Sequence, residues 1–65
     1  MKAGILVEHP QFGIGVVMEV QSHGYPLIVK FYQSVNNEIG SKVTAIYDIN
    51  QNMVYIEARH VKVIG

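Results

Sequence analysis

The sequence predicts an all-β fold, in which the chain forms one small barrel of about five strands. Three observations support this prediction. Short segments of alternating apolar residues are separated by clusters of Gly, Pro, Asn and Ser. No segment carries apolar residues at the i, i+3, i+4, i+7 spacing of an amphipathic helix over three turns. The chain has 65 residues, which is enough for a single domain spanning residues 1–65.

The first strand is predicted at Ala3–Glu8 and is followed by a distinctive corner. Pro10 fixes its own φ, Gly13 can adopt a positive φ, and Gly15 leaves room for a neighbouring backbone. Phe12 supplies an aromatic side chain in the middle of this segment. The segment therefore predicts a tight structural turn between two barrel strands.

The second strand, Ile14–Gln21, is the longest and allows two registers. Strict alternation would bury Ile14, Val16, Met18 and Val20. A bend at Gly15 would instead turn Val17 towards the core, and small barrels need such bends to close. Both registers predict that Val20 is buried.

A hairpin turn is predicted at Ser22–Pro26, and it leads into a third strand at Leu27–Tyr32. Alternation divides this strand into two faces. The predicted core face carries Leu27, Val29 and Phe31, and the opposite or outer face carries Ile28, Lys30 and Tyr32.

The second half of the chain continues with a loop, two more strands and a short closing strand. In the strand before the tight turn, Ile46 lies on the side opposite Tyr47 and is predicted to face outward. The predicted segments are a polar loop Gln33–Ser41, a strand Lys42–Ile49, a tight turn Asn50–Asn52, a strand Met53–Glu57, a single helical turn Ala58–His60 and a strand Val61–Ile64.

The amino-acid composition indicates which classes of function are compatible with the chain. Five Lys and Arg residues balance five Asp and Glu residues, so the chain lacks the basic character of proteins that bind nucleic acid nonspecifically. There is no cysteine, no apolar run long enough to span a membrane and no signal-peptide pattern, and we expect a cytoplasmic protein that does not bind membranes. A hydrophobic fraction of 49% predicts exposed apolar side chains that a partner or a second copy could cover.

The sequence offers no candidate for catalysis, metal binding or cofactor binding. Its three histidines have no compact ligand spacing, and its serines lie in predicted turns without a nucleophile motif. Gly13 and Gly15 open a strand rather than a helix, so they do not form a phosphate-binding loop. We therefore expect a protein that is not an enzyme, with structural or surface roles for His9, His23 and His60.

Exposed strand residues are the candidate binding site. Tyr32, Ile46 and Tyr55 are predicted to face outward as anchors for a partner protein, with Lys30 beside them on the outer face. An unclosed barrel leaves a strand edge to which a partner can add a strand. Two alternatives use the same features: the edge could drive self-association into a homo-oligomer, and the tyrosines could form a cage for a methylated cation.

One set of residues in the first half of the chain has the spacing of a known group of barrels. Its members are Gly4, Val7, His9, Pro10, Phe12, Gly13, Gly15, Val17, Val20, Leu27, Val29 and Phe31. This pattern resembles the Tudor-like (SH3-like) barrel at the C-terminus of UvrD/PcrA-type DNA helicases, and also the polymerase-interacting domain of the CarD and Mfd families. The segment from Ile56 to Ile64 is similar to the end of those barrels. The resemblance implies a protein-binding module that docks on a bacterial RNA polymerase subunit.

A more distant resemblance offers an alternative. The segment Gly15–Val20 is similar to the Gly-x-Val-x-x-Val strand of KOW domains, which bind RNA or polymerase. For this chain it implies binding to nucleic acid or the ribosome through a local basic patch. The residues of that patch would be Lys30, Lys42, Arg59 and Lys62.

Overall fold

The computed structural model describes residues 2–21, 26–35 and 44–65, and within them six strands form one antiparallel sheet. The strands are β1 Leu6–His9, β2 Gly13–Val20, β3 Leu27–Phe31, β4 Thr44–Asp48, β5 Met53–Ile56 and β6 Lys62–Val63, in the spatial order β4-β5-β3-β2-β1-β6. Two 3-10 turns occupy Ile49–Gln51 and Ala58–His60. The all-β prediction is confirmed, with six strands. The predicted turn at residues 22–25 and residues 36–43, which include most of the polar loop, lie outside the described residues.

The corner between β1 and β2 forms as predicted. Gly13 has a φ of +81° and lies opposite His9 across the hairpin. A Cβ atom on Gly15 would lie 2.7 Å from Phe31 Cδ1 and 2.8 Å from the Lys30 carbonyl oxygen. Both distances are too short for any side chain, so only glycine lets β2 and β3 approach this closely.

The register of β2 is the bent one, in which Val17 is buried while Ile14 and Met18 are exposed. The pairing of β2 with β3 shifts between Val17 and Glu19, as a β-bulge requires. The prediction that Val20 is buried is wrong. Val20 lies opposite Leu27 on the core side, but it is the last residue of its strand and its exposure is 41%.

The third strand confirms the predicted core face, because Leu27, Val29 and Phe31 are all buried. Ile28 differs from the prediction: it faces the outer side and yet is only 2% exposed. Its cross-strand neighbours on that face are Glu19 and Tyr55, on the two strands that flank β3. A central strand can thus be covered on both faces, whereas alternation alone predicts one covered face.

The core lies on one side of the sheet and gathers residues from β1, β2, β3 and β5. The buried cluster is Val7, Phe12, Val17, Leu27, Val29, Phe31, Val35, Val54 and Ile56, with Ile5, Ile49 and Val61 packed partly against it. Apolar burial of this kind provides most of the stability of so small a domain.

A second register shift, between Ile46 and Asp48, changes the faces of β4. Ile46 lies opposite Val54 and therefore on the core side, so the prediction that it faces outward is wrong. The extra residue of the bulge lies beyond Ile46 and reverses the alternation only after it, so Ile46 and Ile49 share the core side, whereas strict alternation places them on opposite sides. Ile49, beyond the bulge, also packs against the core.

Candidate functional site

The β4 edge is the first candidate site. Within the part of the chain that the structure describes, β4 pairs with β5 and with no other strand. Two large apolar side chains of β4 are accessible there, Ile46 at 38% and Tyr47 at 49% exposure. Unpaired strand edges present free N–H and C=O groups to which another chain can add.

Two tyrosine rings, one from β4 and one from β5, pack together beside this edge. The rings of Tyr47 and Tyr55 lie 5.3 Å apart at 86°, an edge-to-face arrangement. Tyr55 is partly buried and lies opposite Ile28, which fixes its position on the outer face. Tyr47 is absent from the binding residues predicted from sequence, although the alternation did place it on the side opposite Ile46. The edge thus carries Ile46 at β4 with the Tyr47 and Tyr55 pair beside it.

The other two predicted residues lie elsewhere on the sheet. Lys30 is exposed and lies opposite Met53, so it is a diagonal neighbour of Tyr55, with Cα atoms on the order of 7–8 Å apart. Tyr32 is 70% exposed, and its N–H donates to the Ile14 carbonyl at 3.2 Å. Tyr32 follows Ile28 by four residues, which is roughly 13 Å along a strand. Because Ile28 lies opposite Tyr55, Tyr32 is about as far from Tyr55.

The four predicted binding residues therefore do not converge on one patch. Lys30 and Tyr55 share the outer face near β4, Ile46 lies on the core side of the edge, and Tyr32 lies with Ile14. The separation of Tyr32 also removes it from any cage with Tyr47 and Tyr55. Tyr25, the fourth tyrosine, lies outside the described residues.

A cleft of about 460 Å³ forms the second candidate site, where β1 and the end of the chain meet. Its lining includes His9 and Pro10 from the β1–β2 corner and Arg59, His60 and Lys62 from the C-terminal segment. The pairing of β1 with β6 brings these segments together, although they are far apart in sequence.

His9 is the most buried polar residue of this region, at 5% exposure. The Gln11 backbone N–H donates to His9 Nδ1 at 3.0 Å, and the imidazole stacks on Phe12 with a centroid distance of 4.6 Å. Burial lowers the pKa of His9, and the charge of His60 lowers that pKa further. These contacts give His9 a structural role, which is one of the two roles, structural or surface, expected from the sequence.

Two polar side chains at the cleft, Arg59 and His60, lie near Glu57, and His60 Nδ1 has no hydrogen-bond partner among the described residues. Arg59 Nε donates to Glu57 Oε2 at 2.6 Å, and His60 Nδ1 lies 3.7 Å from the same oxygen. Among residues 2–21, 26–35 and 44–65, no three His, Asp or Glu side chains form a group that could hold a metal ion.

Of the basic patch implied by the KOW resemblance, Arg59 and Lys62 line the same cleft, and each has an acidic residue near it. Arg59 is paired with Glu57, and Lys62 lies opposite Glu8 across the β1 and β6 pair. Lys30 lies on a different strand, and Lys42 falls outside the described residues.

Comparison of the chain with protein-family models, with curated protein sequences and with solved structures found no match. None of the helical segments that the structure describes has the length and apolar character needed to cross a membrane.

Proposed function

We propose that this protein is a non-enzymatic interaction module that binds an extended segment of a partner protein along the β4 edge. The observation that carries this proposal is the exposure of Ile46 and Tyr47 on a strand that, among the described residues, pairs only with β5. Strand addition supplies affinity through backbone hydrogen bonds, while side chains beside the edge select the partner.

The bulge in β4 sets the length of the added strand. Regular pairing between β4 and β5 runs from Thr44 to Ile46 and shifts before Asp48. A partner strand would therefore follow β4 over about three residues. So short a ladder needs support from apolar contacts, and covering the exposed parts of Ile46 and Tyr47 contributes on the order of 1 kcal/mol each.

The partner that we propose is a bacterial RNA polymerase subunit, and the resemblance to Tudor-like barrels supports this choice. The residues that carry the resemblance include Pro10, Gly13 and Gly15, and the structure gives a physical reason for both glycines. The proposal places the protein in the cytoplasm, together with that polymerase.

The test is direct binding of the fluorescently labelled chain to purified bacterial core RNA polymerase, followed by anisotropy. We expect Ile46→Asp and Tyr47→Asp each to weaken binding at least tenfold, because a buried carboxylate at the edge has no partner. Val63→Asp is the matched control, since Val63 is an exposed β-branched residue on β6, at the other end of the sheet order. Circular dichroism checks that each variant is folded.

Three results would contradict the proposal. They are an absence of binding by the wild-type chain, wild-type affinity in both β4 variants, or an equal loss in Val63→Asp. Binding to RNA with an affinity that falls steeply with salt would instead support the KOW-like alternative. A mass that falls on dilution in light scattering, with the same loss in the β4 variants, would support self-association through this edge.

A further inference from the structure

The β1–β2 corner contains a buried titratable group that the proposed function does not use. His9 lies at the end of β1, where its imidazole packs against two aromatic rings that also contact each other. It stacks on Phe12 at 4.6 Å and lies edge-on to Phe31 at 6.3 Å. Its Nδ1 accepts the Gln11 N–H, so the neutral ring carries its proton on Nε2. The side chain thus connects the turn to the core through one hydrogen bond and two ring contacts.

We propose that His9 is a pH-sensitive switch, which closes the β1–β2 corner when it is neutral and releases the corner when it is protonated. Protonation places a hydrogen on Nδ1, which then faces the Gln11 N–H donor and can no longer accept its hydrogen bond. It also places a positive charge at a site that is 5% exposed. Both effects act on the same turn.

Among the charged groups near His9, His60 favours the neutral ring. Arg59, His60 and Lys62 line the same cleft from the C-terminal segment, and Glu8 lines it from β1 itself. Glu57 lies beyond His60, where its Oε2 already accepts from Arg59 at 2.6 Å. From β3 the neighbour is the uncharged ring of Phe31.

The contact between His9 and Phe12 favours the protonated ring instead. Stacking on Phe12 attracts an imidazolium, because the face of an aromatic ring favours a nearby cation. Burial and the charge of His60 act in the opposite direction and lower the pKa of His9.

The sign of the pH dependence follows from this direction. An unfolded histidine titrates at about pH 6.5, and folded His9 titrates below that value. Between the two values the unfolded chain binds more protons than the folded chain, so stability falls as the pH falls. The stabilising contribution of neutral His9 is complete above about pH 6.5 and is lost in the acidic range below it.

The first experiment is an NMR titration of the full chain from pH 7.5 to 5.0, following the His9 ring and the Gln11 amide. We expect His9 to titrate below pH 6.5 and the neutral ring to show the Nε2-protonated pattern. We also expect the Gln11 amide shift to move with the same midpoint, because its hydrogen bond is lost with that proton. A His9 midpoint at or above 6.5, or a Gln11 amide that does not follow it, would overturn the proposal.

The second experiment compares urea unfolding at pH 7.5 and 5.5 for the wild type and His9→Asn. An asparagine at position 9, directly before Pro10, keeps a side-chain oxygen that can accept the Gln11 N–H. Unlike histidine, it does not titrate. For the wild type, the unfolding equilibrium constant should rise by up to about tenfold per pH unit within the titration range. His9→Asn should remove most of this increase, whereas equal pH dependence in both proteins would contradict the switch.

His60→Asn serves as the variant on the other side of the cleft. It removes a positive charge that opposes protonation of His9, so the His9 midpoint should move upward while the hydrogen bond to Gln11 stays in place. An unchanged or lower midpoint would contradict this arrangement of charges. The corner and the β4 edge lie at different places in the sheet order, so these results are independent of partner binding.

Discussion

Isoleucine side chains are buried at the centre of the sheet but partly exposed at its β4 edge. Ile56 on β5 is fully buried in the core, whereas Ile46 on the neighbouring β4 is 38% exposed although it faces the same side. A central strand is paired with another strand on each side, whereas an edge strand is paired on one side only. The difference indicates that the centre provides stability, and we propose that the apolar surface left accessible at the edge contacts another chain.

Truncating each isoleucine tests this division most strongly. Ile56→Ala should cost about 3 kcal/mol, because it removes a buried side chain and leaves a cavity. In a domain whose core supplies roughly 3–5 kcal/mol, this variant should be largely unfolded at 25 °C by circular dichroism. Ile46→Ala should cost about 1 kcal/mol or less in urea unfolding and remain folded. Similar losses in the two variants would contradict the division.

The close approach of β2 and β3 gives the next largest effect. Gly15→Ala should cost about 2–3 kcal/mol, because the new Cβ would meet Phe31 and the Lys30 carbonyl at under 3 Å. Gly4→Ala is the comparison, since Gly4 has no neighbouring atom within 4 Å of that position but has a φ of +92°. Its cost should be backbone strain alone, about 1–2 kcal/mol. If Gly4→Ala proved the more destabilising in urea unfolding, packing would not be the reason for glycine at position 15.

The smallest effect is expected at the turn that joins β4 to β5. Asp48 Oδ1 accepts the Asn50 N–H at 3.0 Å, and Asp48 Oδ2 accepts from the Gln51 side chain at 3.2 Å. Asp48→Ala should lower stability by about 1 kcal/mol, the usual cost of losing such a cap. Asp48→Asn keeps an acceptor and should stay within about 0.5 kcal/mol of the wild type. Equal thermal midpoints for Asp48→Ala and the wild type would show that the cap does not hold this turn.

The parts of the fold that the sequence predicts correctly are those controlled by local chemistry. Pro10 and Gly13 define the corner because each restricts or permits specific backbone angles, and Gly15 leaves room for the neighbouring strand. Leu27, Val29 and Phe31 define a core face because regular alternation in β3 is uninterrupted.

The incorrect predictions depend on features that alternation along one strand does not describe. Val20 lies on the core side but is exposed because it is the last residue of β2. The bulge in β4 places Ile46 and Ile49 on the same side of the sheet, and the sequence carries no obvious mark of it. The cleft between His9 and His60 could not be predicted from the sequence either, because it depends on the pairing of β1 with the distant β6. Alternation describes one strand at a time, and the β4 edge and the cleft arise from contacts between strands.

Amide hydrogen exchange in the presence and absence of bacterial core RNA polymerase tests the central claim most directly. If a partner strand adds at the β4 edge, the amides of Thr44–Ile46 that point away from β5 should become protected when polymerase is present. The amides of β6, at the other end of the sheet order, should exchange as they do in the free chain. Protection at β6 with no change at β4, or no change at either, would contradict the account.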